Sequence, residues 1–136
     1  MKKLTAPWVR KAESDLAAAR RLARGRPPFH DQVCFHCQQG AEKYFKALLQ
    51  EVGLAVPKIH DLSALLSFLL PRDPSLTGLH RGLDRLTQYA VDYRYPGFHA
   101  DARKARTALR LAEHIRSEIR QRLGLKVGPA RPKKSR

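Results

Sequence analysis

Apolar residues recur along this chain at steps of three and four, the spacing that gathers them on one face of a helix. Thr5 and Pro7 mark a helix start, and Trp8, Ala12, Leu16, Ala19 and Ala23 follow on one face before Gly25 and Pro27-Pro28 stop the run. A second helix is predicted from Phe29 or His30 to Val52, with Val33, Cys37, Ala41, Tyr44/Phe45, Leu48 and Val52 as its stripe and Gly53 as its C-terminal cap. Asp61 is placed to cap a short third helix carrying Leu62, Leu65, Leu66 and Leu69, closed by Pro71 and Pro74. Leu76, Leu79, Leu83, Leu86, Ala90 and Tyr93 form the seam of a fourth segment. "YRYPG" then interrupts the pattern before a long last helix from Phe98 to Leu123, with Ala105, Ala108/Leu109, Ala112, Ile115 and Ile119 inward. No segment alternates as a half-buried strand does. The expectation is an all-α, up-and-down bundle of four to five helices over residues 1–125. Residues 126–136, ending in "PARPKKSR", offer no packing side chains and are expected to be a disordered basic tail.

Charge changes the picture more than length does. The 136 residues suit one compact domain, but 27 basic against 12 acidic side chains leave a net +15. Five of the positive charges fall in the tail from Lys126 on, so the body is strongly basic as well. Such an excess attracts polyanions, with nucleic acid or nucleotide the leading choice; an arginine-rich genome is the plain alternative. No apolar run reaches the roughly 20 residues of a membrane span, and no apolar stretch follows the charged start in the manner of a signal peptide. A cytoplasmic protein with no membrane partner is expected.

Cys34 and Cys37 stand one helical turn apart in "CFHCQQGAEKYFKALL". A redox pair needs a helix start after a strand, and a structural zinc needs four ligands. Neither context is present, so the cysteines read as small core residues, with no metal and no cofactor expected.

Three blocks of the chain, "CFHCQQGAEKYFKALL", "KIHDLSALL" and "YRYPG" before a final helix, occur in an order and at distances that resemble the HEPN domain family. The likeness covers most of residues 8–123. It implies a cytosolic helical bundle that commonly dimerises and often partners a minimal nucleotidyltransferase encoded beside it. Many members are metal-independent endoribonucleases, and in toxin–antitoxin pairs the HEPN protein is the toxin.

The family's ribonuclease motif is an arginine, four to six residues, then a histidine at the entry to the last helix. "RYPGFH" supplies Arg94 and His99 at that place. Arg24 and His30 share the spacing, so location alone selects the first pair. The residue types suit the chemistry. RNA cleavage without metal needs a base for the 2′-hydroxyl proton, which histidine provides near neutral pH, and a cation on the phosphate, which the arginine fork provides with direction. The expected product is a 2′,3′-cyclic phosphate, and the resemblance implies that two copies of the motif meet across a homodimer. Tyr95 replaces the polar residue that often follows the arginine. Asp101 stands where many paired toxins carry a tyrosine modified with AMP, which leaves that control without its acceptor here.

Three roles therefore stand open for Arg94 and His99: catalysis, phosphate or nucleotide binding without cleavage, or structure. In the structural reading Arg94 pairs with Asp92 or Asp101 while His99 caps the helix. Tyr95, Lys43 and Arg103 join Arg94 as candidate RNA- or nucleotide-binding residues. Gln38, Gln39 and Glu42 add polar groups on the second helix, either solvated, at a dimer seam or lining the cleft. His60 reads as a turn or capping residue, and Tyr89 and Tyr93 as packing residues with a lesser chance of stacking a base.

Overall fold

A computed structural model describes residues 1–128. Five α-helices and one 3-10 helix make an all-α bundle: α1 (Ala6–Arg24), α2 (His30–Glu51), α3 (Leu62–Leu69), the 3-10 helix (Pro74–His80), α4 (Leu83–Asp92) and α5 (Ala102–Arg122). Among the described residues there is no strand.

The apolar stripes read from the sequence all face inward, but α2 is buried well beyond one stripe. It packs against α1, α3, α4 and α5 at once. Gln38, Glu42 and Lys46 are consequently buried along with Val33, Cys37, Ala41, Tyr44, Phe45 and Leu48. Gly40 lets α1 approach closely. A Cβ there would sit 2.6 Å from Leu16 Cδ2, inside contact distance, so any larger residue would force the buried Leu16 side chain to shift. Cys34 and Cys37 are both fully buried and unpaired. Burial pushes the Cys34 thiol up to about 12, with Asp31 and Asp101 adding to it, and pushes Cys37 up as well, so neither supplies a thiolate at neutral pH.

Several boundaries differ from the sequence reading for local reasons. Thr5 does not cap α1 with its side chain. Its hydroxyl donates instead to Glu51 Oε1 (2.9 Å), which also takes the Lys2 N–H (2.9 Å), tying the chain start to the end of α2. Asp61 does cap α3, accepting from Ser63 N–H (3.0 Å) and Ala64 N–H (3.3 Å). The fourth apolar seam is correct in its residues but consists of two helical pieces. Asp73 caps the first by accepting Ser75 N–H (3.1 Å), and the chain turns at Arg81–Gly82 before α4. Leu76 and Leu79 share a face there because a 3-10 helix repeats every three residues. The last helix begins at Ala102, not Phe98, because Asp101 accepts Lys104 N–H (2.8 Å) and sets the cap. Phe98–Ala100 are left in the preceding loop.

A polar clasp joins α1, α2, α5 and the segment after it. Glu13 on α1 accepts from Arg116 Nε (2.7 Å) and from the Tyr44 hydroxyl, and Arg120 Nη1 lies 3.7 Å away. Arg116, only 3% exposed, also donates to the carbonyls of Val127 (3.3 Å) and Gly128 (3.0 Å). The first residues of the expected basic tail are thus held against α5; the rest of it lies outside the described residues. Burial alone would raise the Glu13 carboxyl, but the Arg116 and Tyr44 hydrogen bonds and the two guanidinium charges outweigh it and hold the group below its usual range.

A carboxyl whose folded-state pKa is depressed stabilises the fold above its unfolded pKa and loses that contribution as pH falls through the carboxylate range. Glu13→Gln is expected to cost about 2 kcal/mol at neutral pH and to lose less stability than the parent on acidification, as checked by urea unfolding at about pH 7 and about pH 4.

Candidate functional site

Arg94 to His99 form the bend between α4 and α5. Tyr95 N–H donates to the Asp92 carbonyl (3.1 Å) and Phe98 N–H to the Tyr95 carbonyl (3.4 Å), which closes a turn around Pro96 and Gly97. Proline at the second position and a positive φ (91°) at the third match a type II turn. A Cβ on Gly97 would meet nothing within 4 Å, so the demand is on the backbone and not on space.

One carboxylate ties this bend to α2. Asp31, in the first turn of α2, accepts Ala100 N–H at Oδ1 (2.7 Å), and its Oδ2 lies 3.6 Å from His99 Nδ1. The His99 side chain is otherwise 80% exposed. Arg94 is exposed and makes no ion pair or hydrogen bond among the described residues. Asp92 is engaged by Gln88 Nε2 (2.8 Å), and Asp101 is the cap of α5. The structural roles considered for the pair are therefore not the ones observed: neither acid holds Arg94, and His99 is not the helix cap.

Three shallow hollows lie side by side along the first half of α2. The first, between α2 and α4, is lined by Phe35, Gln38, Gln39, His60, Thr87, Ala90, Val91 and Arg94. The second shares Phe35 and Arg94 and adds Asp31, Gln32 and Tyr93. The third shares Asp31 and Gln32 and reaches His99, with His30 on its wall. Arg94 and His99 thus flank one groove whose floor is α2. The rings of Tyr89 and Tyr93 pack 5.4 Å apart between centroids. Burial first, and then the acidic groups around it, push the Tyr93 phenol up to about 12, leaving it a neutral ring at physiological pH.

Other expected residues fall elsewhere. Lys43 points to α1 and pairs with Asp15, which also meets His36 Nδ1 at 2.9 Å, and it lines none of the three hollows. Tyr95 is exposed on the turn beside Arg94 and lines none of the three hollows. Arg103 is exposed on the first turn of α5, where it adds to the Lys104 backbone bond that holds the Asp101 carboxyl low. His60 is not a cap, because Asp61 fills that role. Its Nδ1 instead sits 3.1 Å from Glu42 Oε1, and its ring lines the first hollow. Asp31, Phe35 and Thr87 were not foreseen. Asp31 had a signal in its place at the acidic first turn of a helix, but its partner lies 69 residues on. Among the described residues no three His, Cys, Asp or Glu side chains gather as metal ligands do, and no helix is long and apolar enough to cross a membrane.

Fold and groove together define a helical-bundle protein that presents an arginine and a histidine from the loop before its last helix. The model of the HEPN domain matches residues 5–122, and the chain belongs to that family. Two solved structures are similar. TT1696 from Thermus thermophilus has a TM-score of 0.77 and 26% identity, over 88% of this chain and 98% of that one. ST0689, described as an archaeal HEPN homologue, has a TM-score of 0.71 and 26% identity, over 90% of this chain and 99% of that one. No curated protein matches.

Gly97→Ala is expected to cost about 1 kcal/mol, since a Cβ in the left-handed region is strained whatever the space around it. Thermal melts of parent and variant check the value.

Proposed function

We propose that the protein is a metal-independent endoribonuclease, the toxin of a two-gene module with a minimal nucleotidyltransferase, and that it works as a homodimer. The observation that carries this reading is the presentation of Arg94 and His99, both exposed and Arg94 unpaired, on one groove at the entry to α5. With Nδ1 turned toward Asp31, the His99 ring has Nε2 free to take the proton of an RNA 2′-hydroxyl. The 2′-oxygen then attacks the adjacent phosphorus, the bond to the 5′-oxygen breaks as that oxygen takes a proton from water, His99 returns its proton to solvent, and a 2′,3′-cyclic phosphate results. Arg94 stabilises the charge on the phosphate oxygens as the new bond forms. Phe29, Val91, Tyr95 and Phe98, all large and exposed, surround the groove and favour its coverage by a second copy, which brings a second Arg94 and His99 to the same cleft.

A second reading, a non-catalytic subunit that holds a nucleotide or substrate for a nucleotidyltransferase, is supported by the largely apolar hollow beside Arg94, in which Gln38, Gln39 and His60 supply a few polar groups. It uses the same arginine as a phosphate anchor.

Incubation of the intact chain with single-stranded RNA in EDTA separates the two. Cleavage to cyclic-phosphate ends, lost at least about 100-fold in His99→Ala and in Arg94→Ala, supports the enzyme. Uncut RNA, with nucleotide binding that disappears in Arg94→Ala, rejects the enzyme in favour of the binding subunit. Sedimentation equilibrium tests the dimer: a monomer at micromolar concentration overturns the shared cleft.

A further inference from the structure

The hollow between α2 and α4 has walls that the cleavage chemistry does not use, and they are oriented from behind by a buried network. Gln38, 1% exposed, donates from Nε2 to the His60 carbonyl (2.9 Å) and to Glu42 Oε1 (3.3 Å), while its Oε1 accepts from Gln39 Nε2 (2.8 Å). Glu42, also buried, is held by Lys46 Nζ (3.0 Å) and meets His60 Nδ1 (3.1 Å). Lys46 in turn lies 5.8 Å from the centre of the Trp8 ring. A satisfied buried network of this kind fixes the groups it supports.

The groups it presents to the hollow are half-used. Gln39 spends one N–H on Gln38, and its carbonyl oxygen and second N–H bond nothing else among the described residues. His60 spends Nδ1 on Glu42 and leaves Nε2 free. Phe35 adds an aromatic face, Val91 an apolar wall, and Arg94 a cation at the mouth. The cavity volume is about 260 Å³. That is just under the roughly 300–1,000 Å³ of sites for whole small molecules, and it admits one planar ring system with the remainder of the ligand outside. A glutamine amide, with donor and acceptor side by side, matches the N6 and N7 edge of adenine, and aromatic rings stack unpaired bases.

We propose that this hollow is a subsite for an adenine base whose neighbouring phosphate sits on Arg94. Gln39 reads the base edge, Phe35 stacks the ring, and the network of Gln38, Glu42 and Lys46 holds Gln39 and His60 in place. The inference rests on Arg94 as the phosphate anchor, which both readings above share. It places the base on the His60 side of Arg94, with His99 on the other.

Binding of AMP, CMP, UMP and inorganic phosphate to the intact chain tests it, beside binding of a short oligouridylate with and without one internal adenosine. The expected result is a preference for AMP over UMP of about tenfold, or the same preference for the adenosine-containing oligomer; the first identifies a free nucleotide as the ligand and the second an RNA. Gln39→Leu should erase the preference, and Gln39→Glu should turn it toward cytosine, whose amino group a carboxylate accepts, with unchanged melting temperatures in both. Phe35→Ala should weaken every base alike. Equal binding of the three nucleotides by the parent chain overturns the subsite, as does an unaltered preference in Gln39→Glu. Adenine selectivity without cleavage sinks the nuclease and leaves the subsite; cleavage with no base preference does the reverse.

Discussion

Everything in this bundle follows from enclosing a 22-residue helix, α2, among four others. A helix covered on so many sides keeps only a narrow face toward water, so each polar group on its covered faces must find a partner inside the protein or destabilise the fold. The chain meets that demand in two ways. Gly40 removes a side chain where α1 crosses, while Gln38, Glu42 and Lys46 are bonded in a chain that reaches His60, and Tyr44 is bonded to Glu13 and Arg120. The charges on α2 are thus part of its packing and not a solvated face. The same condition explains why Arg116 can be buried: its guanidinium spends its donors on Glu13 and on two carbonyls beyond α5.

Because α2 is held so completely, it makes a rigid floor for the groove. Asp31, Phe35, Gln38 and Gln39 project from successive turns of its first half. The loop from Arg94 to His99 is then positioned by two independent constraints. The Pro96-Gly97 turn sets its shape, and the Asp31 carboxylate, taking the Ala100 N–H, sets its distance from α2. Exposed side chains on such a loop are ordered by their backbone without being consumed by partners, which is what a binding or catalytic group requires.

Much of this was legible in local sequence. The apolar steps gave the inward residues of every helical segment, Asp61 announced the start of α3, and the absence of a strand before Cys34 left the cysteines to the core. What escaped was contact between distant segments. Lys43 carries no mark that distinguishes a lysine paired with Asp15 on α1 from one free to meet a phosphate. His60 looked like part of a turn because its partner, Glu42, lies 18 residues back on the preceding helix and is buried in the fold. The single seam from Leu76 to Tyr93 concealed a break, since steps of three suit a 3-10 helix as well as an α-helix and the left-handed φ of 84° at Gly82 is set by the fold.

The positions of His99 and His60 bear on how the two ends of the groove differ. Each imidazole directs Nδ1 to a carboxylate on α2, His99 to Asp31 and His60 to Glu42, and each has no partner on Nε2 among the described residues, the two rings lining different hollows. Their surroundings nevertheless differ. Glu42 is 5% exposed and already neutralised by Lys46, so its hold on His60 is orienting and carries little net field. Asp31 is more open and, among the described residues, pairs with no lysine or arginine, so it stands beside His99 as an uncompensated carboxylate. His99 therefore faces a carboxylate that no lysine or arginine balances among the described residues, and His60 faces one that Lys46 balances. That asymmetry supports assigning proton transfer to the loop side of Arg94 and recognition to the α4 side.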